Sequence, residues 1–262
     1  MRFNLPVLVY QEKNCVHNHA DEIAQMGKNA LIVTGRNSSK KNGSLDDVIN
    51  ALKSKNIKYT VYDGVEENPS VETVMEAREI GVKAGCDFII GIGGGSPMDA
   101  AKAIGVMIYH KNENKDFLYK SVSNSQSLPV IEVPTTCGTG SEVTTVAVLT
   151  VHNEKTKKSM SHRIFPRMAL VDEKYIKNAP LKVICDTAID ALAHIVESCI
   201  NNNATEYSKM FAKEGLEAWS KFKDVLLGNR EATDEDFHNM MYASTLAGMC
   251  IAHAGTSLPH GL

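Results

Sequence analysis

The stretch Gly91-Ile92-Gly93-Gly94-Gly95-Ser96-Pro97-Met98-Asp99 follows an apolar run and opens a helical pattern. Glycines let a backbone come close to a ligand, and the free N–H groups at a helix start favour anions. The run is not Gly-x-Gly-x-x-Gly, because Ser96 replaces the last glycine, and no Lys-Ser/Thr follows as in a P-loop. It reads as a phosphate cradle, against the plainer alternative of a tight strand-to-helix turn capped by Ser96. A second loop, Pro134-Thr135-Thr136-Cys137-Gly138-Thr139-Gly140-Ser141-Glu142, also follows a strand-like run. Ligands of open α/β sheets bind at such carboxyl ends, so two loops of this kind point to a nucleotide.

The third stretch is of metal-ligand type. Asp190 and His194 stand four residues apart in a helical pattern and share a face. A carboxylate and an imidazole so placed can grip a divalent ion, or simply hydrogen bond on a helix surface. Near the end, His253 and His260 both qualify by residue type; His253 continues a helix, and His260 follows Pro259 and can point into a cleft. No Gly-x-Ser-x-Gly elbow is present, and Cys137 has no base near it in sequence, which argues against nucleophilic catalysis.

These residues need elements to position them. Ala30–Thr34, Tyr59–Tyr62, Phe88–Ile92 and Val130–Val133 read as strands. Leu45–Lys55, Val71–Ala84 and Pro97–Met107 read as the helices between them. Such alternation indicates a parallel sheet covered on both faces. Further β runs lie near Val143–Val151 and Ala169–Val171. From Pro180 the pattern turns helical, with long segments at Leu181–Ile200, Glu206–Leu227 and Asp234–Ala254. An α/β domain over 1–179 and an all-α domain over 180–262 are therefore expected. The 262 residues are 43% hydrophobic and 23% charged with net charge −3, ordinary for a globular protein and without the basic footprint of a nucleic-acid binder. The start lacks the apolar core of a signal peptide and no run reaches membrane-span length, so a cytoplasmic protein with no membrane partner is expected. Six scattered cysteines without a Cys-x-x-Cys pair read as reduced, mostly buried thiols.

Taken together, the stretches resemble the iron-containing (group III) alcohol dehydrogenases, on the side of the propanediol and butanol dehydrogenases. Gly93–Lys102 is similar to the family's pyrophosphate loop and Pro134–Thr144 to its second signature. Asp190–Glu197 and Leu246–Met249 are similar to its metal-domain helices. The resemblance implies a Rossmann-like nucleotide domain, a helical metal domain and a cleft between them. It implies reversible hydride transfer between a nicotinamide and a small aldehyde/alcohol pair, with Fe²⁺, or Zn²⁺ as competitor, polarising the substrate oxygen. No side-chain general base is assigned. The metal ligands map onto Asp190, His194 and His260, which passes over His253. Positions lining the cofactor map onto Asn68, Gly94, Gly95, Ser96, Asp99, Thr135, Thr136, Thr139, Thr144 and Lys158. A homodimer or larger assembly is implied. A zinc-dependent relative of glycerol dehydrogenase or dehydroquinate synthase, and a non-catalytic NADP-binding fragment, are the alternatives.

NAD-preferring members end their second sheet strand with an acidic residue. Here Thr34-Gly35-Arg36-Asn37-Ser38-Ser39-Lys40-Lys41 holds none. Gly35, Arg36 and Ser38 would instead meet a 2′-phosphate, so NADP(H) is expected over NAD(H). The family runs past 262 residues and adds a fourth ligand, a histidine, downstream. The 262-residue chain alone is therefore expected to hold NADP(H) better than metal, with little turnover.

Overall fold

The computed structural model describes residues 3–261. The chain runs β1 (Leu8–Gln11), α1 (Cys15–Asn18), α2 (Ala20–Ala24), β2 (Asn29–Gly35), α3 (Ser38–Lys41), α4 (Ser44–Ser54) and β3 (Lys58–Val65). It continues α5 (Val71–Ala84), β4 (Phe88–Gly93), α6 (Gly95–Tyr109), β5 (Val130–Pro134), β6 (Val148–Val151), β7 (Thr156–Ser159) and β8 (Met168–Val171). Four helices follow: α7 (Leu181–Ile200), α8 (Glu206–Leu226), α9 (Asp234–Ala254) and α10 (Leu258–Gly261).

Six strands pair in parallel in the order β1-β8-β5-β4-β2-β3. Side-chain alternation splits the central strands between two cores. Leu31, Val33 and Ile89 pack with Val74 and Ala77 of α5 and Ile104 and Met107 of α6. Ala30, Ile32, Ile90 and Ile92 pack on the other face with Val16, Ile23, Val48 and Leu52. Both faces are thus buried, as the β-branched runs require. Ser70 caps α5 by accepting the Thr73 N–H, and Gly85 ends it at φ 69°.

One expectation changes. Of the β run near Val143–Val151, only Val148–Val151 is a strand; it pairs antiparallel with β7 outside the main sheet, and Ser141–Val143 form a tight 3₁₀ turn instead. Strand β1 has no helix-strand pattern around it; it is a four-residue, half-exposed edge strand held by β8.

The helical part packs α7, α8 and α9 around Ile184, Ala188, Ile195, Phe222, Met240 and Ala247. Capping boxes start α8 (Thr205 with Ser208) and α9 (Thr233 with Asp236). Pro180 is the residue before the first turn of α7, rather than inside it. Cys137, Val171 and Ile176 of the α/β part join the helical core, so the two parts share apolar packing. No described helix is long and apolar enough to cross a membrane.

Candidate nucleotide cleft and metal centre

Strand β2 leads out to β3 on one side, and β4 leads to β5 on the other, so the order reverses between β2 and β4. The crevice outside their carboxyl ends is where such sheets take ligands. The glycine loop stands there. Gly93 has φ 151°, and a Cβ on it would sit 2.6 Å from Pro97 Cγ. Gly94 is the residue before α6 and offers no side-chain cap. A Cβ on Gly94 would lie 3.1 Å from the Thr136 side chain, and one on Gly95 would lie 2.9 Å from that of Thr139. The two loops are therefore seated against each other, with backbone N–H groups of a fifteen-residue helix at the junction. Beside them lies a cavity of about 400 Å³, lined among others by Asn37, Ser38, Lys41, Gly94, Thr135, Thr136, Tyr175 and Val183. That size suits part of a small-molecule ligand.

The other cofactor candidates are placed as follows. Asn68, at φ 56°, donates its N–H to Ser96 Oγ at 3.0 Å, and its carbonyl accepts from Thr150 Oγ1 at 2.8 Å. Asp99 does not face the cavity: its two oxygens accept from Ser141 Oγ at 2.6 Å and from the Val148 N–H at 2.8 Å. Thr144 is likewise buried, its hydroxyl turned to the Ser141 carbonyl at 3.4 Å. Lys158 lies on β7, paired with Glu154 and 5.7 Å over the Tyr119 ring, and is not gathered with the loops. Gly35 ends β2, and Arg36 and Ser38 are exposed beside it. Lys40 is paired at 2.5 Å with Asp63, a carboxylate on β3 that the stretch 34–41 does not contain. The Lys40 ammonium holds the Asp63 carboxyl below its usual range.

The metal-type residues converge. Asp190, His194 and His260 each offer a donor atom within 4.8 Å of the others. Asp190 Oδ1 is 3.1 Å from His260 Nε2 and 3.9 Å from His194 Nε2. The His194 and His260 rings stack at 4.2 Å. His194 Nδ1 sits 3.2 Å from the Gly138 carbonyl, which fixes the proton there and leaves Nε2 as a lone-pair donor. His260 Nδ1 is 2.6 Å from Glu197 Oε1, while Glu197 Oε2 accepts from the Ser257 N–H at 2.7 Å. A carboxylate behind a histidine orients and strengthens it as a ligand. Burial is the main influence on His194 and lowers its pKa against the pull of Asp190, keeping the imidazole neutral, the form that binds metal. Burial also opposes protonation of His260, but the hydrogen bonds of Glu197 and Asp190 outweigh it and raise its pKa. The donor set, two imidazoles and one carboxylate with each histidine Nδ1 held by an oxygen, fits a divalent transition metal. His253 turns elsewhere: its Nδ1 is 2.7 Å from the Met249 carbonyl and its ring stacks on Phe3.

Residues 6–173 match the family model for iron-containing alcohol dehydrogenase. Residues 184–262 match that for the C-terminal part of the Fe-containing alcohol dehydrogenase family. The chain belongs to the iron-containing alcohol dehydrogenase family. A long-chain primary alcohol dehydrogenase of Thermoanaerobacter ethanolicus is 33% identical over 89% of this chain and 59% of its own length. An NADPH-dependent butanol dehydrogenase of Clostridium saccharobutylicum is 32% identical over 100% of this chain and 67% of its own. A crystal structure of an iron-containing alcohol dehydrogenase superposes with TM-score 0.93 at 39% identity, covering 99% of this chain and 71% of that one. The chain thus spans 59–67% of the length of these two curated relatives.

In this family member the loop after β5 borders both the glycine loop and the Asp190–His194–His260 cluster. Thr136 and Thr139 abut the glycine loop, and Gly138 between them gives its carbonyl to His194. A Cβ on Gly138 would lie 2.8 Å from the Thr187 carbonyl of α7, so only glycine fits. Beyond it, Gly140 at φ 58° packs backbone to backbone on Gly248 of α9, and buried Glu142 accepts from Thr245 Oγ1 at 2.9 Å. Sequence reading passed over Glu197, although 190, 194 and 197 follow the i, i+4, i+7 spacing of one helix face. The partners of Gly138 and Gly140, His194 and Gly248, left no sequence signal, because they lie 56 and 108 residues away. All six cysteines are unpaired thiols, and burial pushes the Cys137 thiol up to about 11, consistent with its having no nucleophilic part.

Proposed function

We propose that this chain carries the nucleotide and metal halves of an enzyme that moves a hydride reversibly between NAD(P)H and a small aldehyde, primary alcohol or diol. The observation that carries the reading is the shared loop: the residues facing the phosphate cradle and the carbonyl that orients His194 are neighbours in one turn. The nucleotide would lie along the carboxyl ends of β2, β4 and β5, its pyrophosphate on the first turn of α6 and its flanks on Thr135, Thr136 and Thr139. Asp190, His194 and His260 would hold the metal, with Glu197 and Gly138 fixing the two imidazoles. When bound, the nicotinamide supplies the hydride and the metal, Fe²⁺ by family or Zn²⁺ by ligand type, withdraws charge from the substrate oxygen. Asp99, Thr144 and Lys158 take no direct part in this reading; the first two brace the loop.

NADP(H) is the preferred nucleotide in this proposal. Arg36 and Ser38 are exposed at the end of β2 with no carboxylate in their own stretch, and Asp63 is occupied by Lys40. Calorimetry with NADPH and NADH, and metal analysis, test the two halves separately. NADPH is expected to bind about tenfold tighter than NADH, roughly 1.4 kcal/mol. The metal should leave when Asp190→Ala and His194→Ala are combined. Tighter binding of NADH would overturn the nucleotide preference. One metal per chain retained by the double variant would overturn the ligand set. Metal-dependent consumption of NADPH with a short aldehyde tests the reaction itself.

A further inference from the structure

Eight positions into α6, on its inner face, Lys102 is fully buried. Taking an ammonium out of water is costly unless every proton finds an acceptor. Lys102 Nζ donates to Ser141 Oγ at 2.6 Å, the Val146 carbonyl at 2.7 Å and the Ser141 carbonyl at 2.8 Å. Thr144 adds a carbonyl at 3.3 Å and a hydroxyl at 3.4 Å. All these acceptors lie on residues 141–146, the continuation of the loop after β5. Asp99, one turn earlier, grips the same stretch: Ser141 Oγ donates to it at 2.6 Å while accepting from Lys102, and the Val148 N–H donates at 2.8 Å. The helix that begins as the phosphate cradle is thus tied by its second and third turns to the loop that lines the cradle's other side.

The spacing so fixed is narrow. A single Cβ on Gly94 or Gly95 would already crowd Thr136 or Thr139. We propose that Lys102 is a positioning residue for nucleotide binding: its ammonium sets the gap between the glycine loop and the Thr135–Thr139 loop without touching the ligand. The proposal rests on the nucleotide site described above. Lys102 does not line the cavity, so its effect must pass through residues 141–146. A plain structural ion would lower stability when removed and leave the affinity of the folded protein unchanged. A positioning residue changes that affinity selectively.

The test measures NADPH affinity by calorimetry, metal content and apo melting temperature for the whole chain, Lys102→Met and Ser141→Ala. Lys102→Met keeps the length and removes the donors; Ser141→Ala removes only the hydroxyl shared by Lys102 and Asp99. Expected is a loss of NADPH affinity of about tenfold or more in K102M and about threefold in S141A, each lost donor set acting on one loop. Metal content stays that of the unmodified chain in both. Unchanged NADPH affinity in the folded variants overturns the proposal; if K102M does not fold, S141A alone decides, by the same criterion. If the unmodified chain binds neither NADPH nor NADH, the nucleotide reading itself has failed and the proposal falls with it.

Discussion

Glu132 is the least expected residue of the chain. It stands in the middle of β5, fully buried, and neither carboxylate oxygen has a hydrogen-bond partner among the described residues. Its strand neighbours are Gly91 on β4, which carries no side chain, and Ala169 on β8. Burial raises its pKa well above the usual carboxylate range, against the attraction of Lys102 and with the repulsion of Asp99 and Glu142. A raised carboxylate pKa means that folding favours the protonated form. The stability this represents is fully present below the unfolded value of about 4.3 and is lost as pH rises through the folded pKa. Glu132→Gln cannot ionise. The variant should therefore gain on the parent as pH rises from 5 to 8, with a slope of at most about 1.4 kcal/mol per pH unit. Urea unfolding of both proteins across that range measures it; a constant difference would mean that Glu132 is ionised throughout.

At the scale of elements, most of the fold was legible because its signals are local. The buried strands are β-branched runs, α5 carries Ser70 before and Gly85 after it, and the three long helices keep a helical period from Leu181 onward. Strand β1 was not legible, because four residues beside a partner 160 positions away make no pattern of their own. Asp190 and His194 were legible as a helix-face pair in α7; the choice of His260 over His253 as their companion came from the family resemblance. The two capping boxes are Thr-x-x-Ser and Thr-x-x-Asp rather than the usual form with Glu or Gln. In α9 the Asp236 carboxylate also pairs with Arg230 at 2.5 and 2.7 Å and accepts the Thr233 N–H at 2.8 Å. These contacts, Arg230 first, hold its pKa far below the usual range against burial. A depressed carboxylate pKa gives stability that is present above the unfolded value of about 3.9 and is lost as pH falls towards the folded one. Arg230 is 40% exposed on its side chain, so solvent screens part of the pair. Asp236→Asn should cost about 1–2 kcal/mol near neutral pH. The deficit should shrink below about pH 4 as the carboxylate of the parent's unfolded chain takes up its proton. Melting curves at both pH values check this, and an equal deficit at both would contradict the assignment.

Across the whole molecule, the loop after β5 and the helical part pack as one unit because two glycines allow it. Gly140 and Gly248 meet backbone to backbone, and the neighbouring Glu142–Thr245 hydrogen bond closes the same seam. The loop thereby fixed carries Gly138, whose carbonyl sets the His194 tautomer, and Thr136 and Thr139, which flank the glycine loop. Gly248 lies inside α9, where a glycine-to-alanine change ordinarily stabilises a helix by about 1 kcal/mol. Here the sign should reverse. A Cβ at 248 would be 2.3 Å from the Gly140 carbonyl oxygen, 2.7 Å from Val143 Cγ2 and 2.8 Å from Gly140 Cα. Two of those atoms are backbone, so no rotamer change relieves the clash, and the loop must move off the helix. Overpacking of this kind costs about 1–3 kcal/mol. Gly248→Ala should therefore melt several degrees lower, at about 2–4 °C per kcal/mol for a chain of this size. Its displaced loop should weaken NADPH and metal binding together, although residue 248 touches neither site. Calorimetric titrations and a melting curve on one preparation test both halves of the argument. A variant more stable than its parent would mean that the seam is loose, and that the two sites are not set by a common loop.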